Sequence, residues 1–290
     1  MRLDEHVSTR SGRIRRLLLH YILFVMVGPQ LVFALVLFGG FDFDQGAMKL
    51  FIPVLFPISL SALFVFSEPP QVARSEPAAW WRWALAAALM FGVWAGSYFL
   101  VGKLIDPARV RFLPSALEDQ VPFRPAFSLV YILLYPIFLL PFFAVRDRDA
   151  FRRLVAGYLL MFATCSAAFL IIPVAFDRPA LPPPPHDLGT WILSLVHGSD
   201  PAWNCLPSEH CAVAMLASLM TWEANKRIGA FGFFTTLMIG LSTLYTKQHY
   251  LVDVLAGYGV SLCIFFALRR AKCVEGALSR RRPKAREASL

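Results

Sequence analysis

The chain has 290 residues, of which 57% are hydrophobic and 16% are charged, and its formal net charge is +9. Soluble domains carry about 25% charged residues, so this composition excludes an ordinary water-soluble protein. Apolar runs of about 18 or more residues recur along the chain and predict an all-α, polytopic membrane protein with one helical domain. Basic residues cluster between these runs and at both ends, where membrane topology explains them, so nucleic acid is not an expected partner.

The apolar runs predict about eight transmembrane helices in a transmembrane domain over residues 17–269. The predicted helices cover 17–39, 48–66, 80–101, 125–145, 154–176, 208–222, 229–246 and 250–268. A polar arm over 1–16 precedes them and a basic tail over 270–290 follows. The sixth is short and the least hydrophobic, which favours a place inside the bundle. A short interfacial helix is expected over 190–196.

Eight helices place both termini on one side of the membrane, and that side holds most of the lysines and arginines. The positive-inside rule therefore predicts cytoplasmic termini. The compact loops suggest a bacterial inner membrane. The basic stretch 269–286 is interpreted as a topology anchor, with contact to anionic lipid headgroups as the alternative. The polar motifs described next then lie on the outer face.

The stretch from Gly240 to Ala256 ends one apolar run and begins another. His249 and Asp253 lie four residues apart, so a helix starting near His249 would place them on one face. A carboxylate behind a histidine fixes its tautomer and makes the ring a better base or nucleophile. The alternative is an interfacial histidine followed by an aspartate that compensates the helix dipole.

A second polar motif, Pro207-Ser208-Glu209-His210, precedes the sixth apolar run. A Pro-Ser pair is typical of a helix start, with Ser208 near the cap. The free N–H groups and positive dipole of such a helix end suit a phosphate. His210 is placed to give a proton to a leaving oxygen. Simple capping with an interfacial histidine is the alternative.

Two cations complete the predicted site. Arg178, at the outer end of the fifth helix, can clamp a phosphate bidentately, and Lys247 can assist it. Snorkelling side chains are the alternative for both. No metal cluster, Walker loop or dinucleotide-binding motif is visible, so no metal or cofactor is expected. Cys205 and Cys211 show no zinc spacing and are expected to be unpaired.

Four other residues are interpreted without a catalytic role. Gly257 and Gly259, in the eighth helix, are expected to allow close helix packing. His186 and His197 lie in the long outer loop and are expected to be solvated rather than catalytic.

These motifs, with Arg178-Pro179 before them, resemble the type 2 phosphatidic acid phosphatase superfamily, whose motifs are Lys-x6-Arg-Pro, Pro-Ser-Gly-His and Ser-Arg-x5-His-x3-Asp. The resemblance covers residues 178–257. It implies a six-helix type of catalytic core toward the C-terminal half. It also implies these roles: His249 as nucleophile, Asp253 as its partner, His210 as general acid, and Arg178 and Ser208 as phosphate ligands.

The chain departs from the family pattern at three positions. Ile171 stands in place of the lysine of the first motif, Glu209 in place of the glycine of the second, and Thr243 in place of the arginine of the third. Lys247, one turn later, is placed to compensate. With these departures the chain is more similar to the branch that contains inositol phosphorylceramide synthases, in which the acceptor can be an alcohol headgroup.

The expected function is metal-independent phosphoryl transfer from a lipid phosphate through a phosphohistidine, with hydrolysis as the first interpretation. Transfer to an alcohol is the first alternative, because pocket shape rather than sequence decides whether water is excluded. A transporter or lipid-binding protein is the second. The His249–Asp253 pair opposite His210 favours an enzyme, since an anion-binding site needs cations but no oriented nucleophile.

Overall fold

The computed structural model describes residues 14, 16–22, 25–26, 80–145, 147–181, 185 and 187–281. Residues 16–22 are helical, and after them come the helices α1 Trp80–Leu104, α2 Ser128–Tyr131, α3 Leu134–Ala144, α4 Arg148–Ile171, α5 Leu188–Ser199, α6 Glu209–Ala224, α7 Lys226–Tyr245 and α8 Leu251–Arg281. Two short strands, β1 Arg111–Phe112 and β2 Val174–Ala175, pair in parallel between loops. The described chain is therefore mostly helical, as predicted, and its two short strands form a small parallel sheet.

Five stretches of the described chain are long and apolar enough to cross a membrane. They are Ala84–Leu104, Pro125–Ala144, Arg148–Ile171, Lys226–Tyr245 and Leu251–Lys272. Large apolar side chains such as Leu104, Ile171 and Leu255 are exposed on these helices, as lipid contact requires. The first predicted helix lies mostly, and the second entirely, outside the described residues, so the total of eight stays a prediction.

Several helix ends differ from their predicted positions. α4 begins at Arg148 rather than 154, because the side chain of Asp147 caps it by accepting the N–H of Ala150 at 2.7 Å. It ends at Ile171 rather than 176, because Pro173 disfavours helix in the residue before it. α8 continues unbroken through residue 270, where the predicted tail begins.

The fourth predicted helix is interrupted between α2 and α3. Pro136 has no N–H to donate to the carbonyl of Ile132, one turn earlier, and its ring disfavours a continuous helix there. The N–H of Tyr135 instead donates to the carbonyl of Ile132 at 3.2 Å. The interruption places Tyr131, the last residue of α2, in the interior of the protein.

The short helix α6 is the centre of the bundle. Nearly every side chain from Glu209 to Thr221 is buried, and α6 contacts α3, α4, α7 and α8. The Thr236 hydroxyl donates to the Ala214 carbonyl and accepts from the Ser218 hydroxyl, both at 2.9 Å, and these two bonds join α6 to α7. The prediction of a short helix inside the bundle is confirmed.

The helices of this core run between two ends. Asn225 alone separates α6 from α7, and a five-residue turn separates α7 from α8, so neighbouring helices are antiparallel. The starts of α6 and α8 and the ends of α4 and α7 form one end, called the site end below. The end of α6 and the starts of α4 and α7 form the far end. Because α6 has 16 residues, the two ends are about 24 Å apart.

Candidate active site

His249 and Asp253 meet at the start of α8. The helix begins at Leu251, slightly later than the expected start near His249. The two side chains nevertheless approach, with Nδ1 of His249 3.4 Å from Oδ2 of Asp253. The same carboxylate oxygen accepts the backbone N–H of Tyr250 at 2.9 Å, which fixes it against the turn. Nδ1 is within ion-pair distance but is not aligned for a hydrogen bond to any described group.

The other nitrogen of His249 faces the second histidine. Nε2 of His249 lies 3.2 Å from Nδ1 of His210, in the first turn of α6. Nε2 of His210 is hydrogen-bonded in turn to the hydroxyl of Tyr131. The Tyr131 ring also packs on the imidazole, with 4.8 Å between ring centroids. Asp253, His249, His210 and Tyr131 therefore form one continuous buried chain.

The contacts assign a tautomer to each ring. The carboxylate of Asp253 beside Nδ1 of His249 favours a proton on that nitrogen and leaves a lone pair on Nε2. Nδ1–H of His210 then donates to this lone pair, and Nε2 of His210 accepts from the Tyr131 hydroxyl. This is the arrangement that a histidine nucleophile with a neighbouring general acid requires.

Ser208 holds the start of α6 against the start of α8. It is the N-cap of α6, and its side chain accepts the N–H of Cys211 at 3.4 Å, as the Pro-Ser sequence predicts. Its own N–H donates to the carbonyl of Asp253 at 2.9 Å. A Cβ at Gly257 would collide with the carbonyl of Ser208, so the predicted close packing at Gly257 is confirmed. A Cβ at Gly259 would meet nothing within 4 Å, so the same prediction is wrong there.

Arg178 is held by Asp200, a residue outside the predicted motifs. Nη2 of Arg178 lies 2.5 Å from Oδ2 of Asp200, and Nη1 donates to the Asp200 carbonyl at 2.9 Å. The hydroxyl of Tyr98 donates to Oδ1 of Asp200 at 2.5 Å, and its ring edge faces His210 with centroids 6.0 Å apart. The Arg178–Asp200 pair is thus connected to the histidines through Tyr98.

The charge of Arg178 affects its surroundings. Burial lowers the pKa of its guanidinium, but the Asp200 carboxylate raises it, and the net pKa lies above the ordinary value. His197, on α5, is half-buried rather than solvated, because its Nε2 accepts a hydrogen bond from Nε2 of Gln248 at 2.7 Å. Burial and the nearby Arg178 lower the pKa of His197 to about 4. The prediction of a solvated His197 is wrong, and His186 lies outside the described residues.

Lys247 is turned toward the loop over residues 105–124, which follows α1. Its backbone is left-handed, with φ of 54°, and its ammonium donates to the carbonyl of Glu118. The carboxylate of Glu118 accepts the N–H of Leu251 at 2.7 Å and so caps α8. Glu118 therefore fixes the turn that carries His249. Lys247 would have to leave this carbonyl before it could contact a phosphate.

Cys205 lies beside the His249–Asp253 pair. Ligand atoms of these three buried residues are all within 4.8 Å of one another, a donor set that a soft divalent metal could use. The Cys205 thiol donates to the carbonyls of Ala202 at 3.3 Å and Gln248 at 3.5 Å. Burial raises the pKa of the thiol, which opposes the thiolate that a metal would need. Cys205 and Cys211 are both free, as expected.

A comparison with known protein families identifies the segment that carries this site. Residues 152–274 match the model of the PAP2 superfamily. The PAP2 segment runs from the first turns of α4 into α8 and contains all six predicted site residues. Members of the PAP2 superfamily are phosphatases and phosphotransferases. No curated protein and no solved structure matches the chain.

The sequence motifs did not reveal Tyr131, Tyr98, Asp200 or Glu118. The two tyrosines lie in apolar runs before the PAP2 segment and look like ordinary interior or interfacial aromatics. Asp200 lies in a loop, but its place on the predicted outer face, seven residues before Pro207, could have indicated a partner for Arg178. No sequence pattern identifies Glu118 as a site residue, because only the folding of the loop over residues 105–124 brings it to α8.

Proposed function

We propose that this protein is a membrane enzyme that transfers the phosphoryl group of a lipid phosphate through a phosphohistidine at His249. The observation that carries the proposal is the position of Nε2 of His249, 3.2 Å from Nδ1 of His210, with Asp253 beside the opposite nitrogen. A nucleophile, its orienting carboxylate and a proton donor are thereby adjacent. The match to the PAP2 superfamily supports the same chemistry.

In the first proposed step, the lone pair on Nε2 of His249 attacks phosphorus and the bond from phosphorus to the lipid oxygen breaks. His210, protonated on both ring nitrogens once the phosphate is bound, gives its Nδ1 proton to that departing oxygen and becomes neutral, so the lipid leaves as a neutral alcohol. Asp253 stabilises the positive charge that develops on the His249 ring. In this step the hydroxyl oxygen of Tyr131 accepts Nε2–H of His210 and so holds Nδ1 toward the departing oxygen.

In the second proposed step, water attacks the phosphohistidine. His210, now without its Nδ1 proton, takes a proton from the water, and the bond from phosphorus to Nε2 of His249 breaks. Phosphate leaves, and both rings return to their starting protonation states. Because the two rings contact each other directly, they must separate to admit the phosphate.

The phosphate would be held by Arg178 and by the start of α6 at Ser208, with Lys247 as a third ligand. Arg178 offers its Nε, which has no hydrogen-bond partner among the described residues. The free N–H groups at the start of α6 add a positive dipole. The chemistry needs no metal or cofactor in this scheme.

The substrate is proposed to be an amphiphile with a phosphate headgroup, entering sideways between helices from the surrounding lipid. The far end carries basic residues from several helices, among them Arg148, Arg152, Arg227 and Arg270. By the positive-inside rule, these residues support the proposal that this end faces the cytoplasm and that the site lies at the outer face of a bacterial inner membrane.

Transfer to an alcohol is the second candidate, as in the inositol phosphorylceramide synthase branch that the sequence resembles. Burial of the reacting groups favours it, because His249 is 3% exposed and His210 8% exposed. A site from which water is excluded can hold a phosphohistidine until an alcohol headgroup arrives.

The test is phosphate release from a panel of lipid phosphates by purified full-length protein in detergent with EDTA. We expect release that survives EDTA and is lost in His249→Ala. The matched control is His20→Ala, which removes a histidine whose ring bonds the Arg16 carbonyl at 2.8 Å, outside the PAP2 segment. Acid-labile phosphate on the wild-type chain would identify the phosphohistidine.

The alternatives give different results in the same preparation. Headgroup transfer between labelled lipids without phosphate release would replace hydrolysis by phosphotransfer. Release that EDTA abolishes would contradict the metal-independent scheme and direct attention to Cys205. No release and no transfer from any lipid would overturn the proposed enzyme in favour of an anion-binding or transport protein.

A further inference from the structure

A cavity of about 570 Å³ lies at the far end, away from the histidines. It lies between the ends of α6 and α8 and the starts of α4 and α7. Its charged lining consists of Asp147, Arg153, Glu223, Lys226, Arg269 and Lys272. The volume is in the range of sites that enclose a small ligand or a lipid headgroup.

The basic side chains of this cavity lie at the level of a membrane surface. Lys226 is the first residue of one candidate membrane span, Lys272 is the last of another, and Arg153 lies in the first two turns of a third. Residues at such positions meet lipid headgroups rather than hydrocarbon. The ammonium of Lys226 also lies over the ring of Trp222, 4.5 Å from its centroid. Tryptophan is enriched at the level of the lipid headgroups, which is consistent with this position.

The two acidic residues of the lining are already engaged. The carboxylate of Glu223 forms ion pairs with Arg153 and Arg269. Each guanidinium nitrogen lies 3.4 Å from a different carboxylate oxygen. Asp147 accepts the N–H of Ala150 as the cap of α4. The lysines remain to bind a ligand, together with the guanidinium N–H groups that do not face Glu223. The cavity therefore has an excess of positive charge.

The rest of the cavity lining is largely apolar. Leu219, Met220, Phe233, Phe265 and Phe266 line it. A free inorganic anion would leave this surface uncovered, whereas a lipid would place its phosphate on the lysines and its chains along the aromatic rings. We propose that this cavity binds the headgroup of an anionic phospholipid, at the membrane face opposite to the histidine site.

The experiment measures thermal unfolding of the full-length protein in mixed micelles. Dioleoyl-phosphatidylglycerol should raise Tm by about 3 °C or more over dioleoyl-phosphatidylcholine, as expected for a specifically bound ligand. The double variant Arg269→Gln with Lys272→Gln should lose this difference. The matched control is Arg152→Gln with Arg270→Gln, which removes the same charge from exposed positions at the same end but outside the lining.

Each outcome decides the proposal. A headgroup effect that is kept by the control pair and lost by the cavity pair supports it. Equal loss in both pairs would mean a general attraction of the basic surface for anionic lipid and would overturn the cavity site. No headgroup effect in the wild type would overturn it as well. An equal rise of Tm with glycerol 3-phosphate would identify a soluble phosphate, not a lipid, as the ligand.

Discussion

The polar groups at the two ends of the helical core differ in burial and in how closely they are paired. At the site end, His210, His249 and Asp253 are buried and contact one another or close neighbours. At the far end, charged side chains are more exposed, and the carboxylate of Glu223 lies 3.4 Å from both Arg153 and Arg269. A buried polar group costs free energy unless it is paired, whereas an exposed ion pair contributes about 0–1 kcal/mol. Substitutions at the site end should therefore alter chemistry, and those at the far end should alter stability only slightly.

The largest expected effect follows from Asp253→Asn. The amide keeps the size of the carboxylate but removes the charge that stabilises the His249 ring in the proposed first step. The amide oxygen of asparagine can take the place of Oδ2 and accept the Tyr250 N–H, so the turn should keep its shape. We expect kcat to fall by about 10³-fold or more, with Tm little changed, measured as phosphate or headgroup transfer. Retention of more than a tenth of the activity would show that this carboxylate has only a structural role.

A smaller effect is expected from Tyr131→Phe, which removes the hydroxyl bonded to Nε2 of His210 and keeps the ring packing. Because Tyr131 acts through His210, kcat should fall by about 10- to 100-fold while KM changes little. The acidic limb of the pH–rate profile should also shift. Tyr158→Phe is the control, since its hydroxyl bonds the Phe138 carbonyl at 3.0 Å, within the apolar core. Equal losses in both variants would point to packing rather than to proton placement.

The sequence predicted the segment over residues 152–274 better than the loop over residues 105–124. Helix starts were accurate where Ser208 and the turn before α8 are local signals. The start of α4 was missed because Asp147 can be recognised as a cap only once the charged turn after it is known to be helical. Tyr131 and Glu118 reach the site across more than 70 residues of sequence, and no local pattern encodes such contacts.

Glu209 differs from the other buried polar groups at the site end, which contact one another. Glu209→Gln tests how much its burial lowers the free energy of unfolding. Glu209 is 1% exposed, and although the indole N–H of Trp94 lies near its carboxylate, neither carboxylate oxygen makes a well-aligned hydrogen bond to a described residue. Glutamine has nearly the same shape and a smaller desolvation cost, so the variant should be more stable by about 1–2 kcal/mol. The measurement is thermal unfolding in detergent. A less stable Glu209→Gln would show that the carboxylate has a stabilising partner, such as the indole of Trp94.

His197 should make stability depend on pH. Its pKa is about 4 in the folded chain, because burial and Arg178 disfavour the proton, against about 6.5 in the unfolded chain. The unfolded state therefore binds more protons between these values, and the contribution of His197 is lost as pH falls through this window. Tm should fall less from pH 7 to pH 4.5 in His197→Gln than in the wild type. Equal falls would mean that His197 is open to solvent.

The smallest effect is expected from Glu223→Gln at the far end. The variant removes the charge that faces Arg153 and Arg269, but both contacts are long and Arg269 is 57% exposed. We expect a loss of about 1 kcal/mol or less, seen as a small fall in Tm. Asp149→Asn is the control, because its contact to Arg152 is 3.8 Å long and both side chains are exposed, so no measurable change is expected. A loss of several kcal/mol in Glu223→Gln would mean that the far end, like the site end, depends on buried polar contacts.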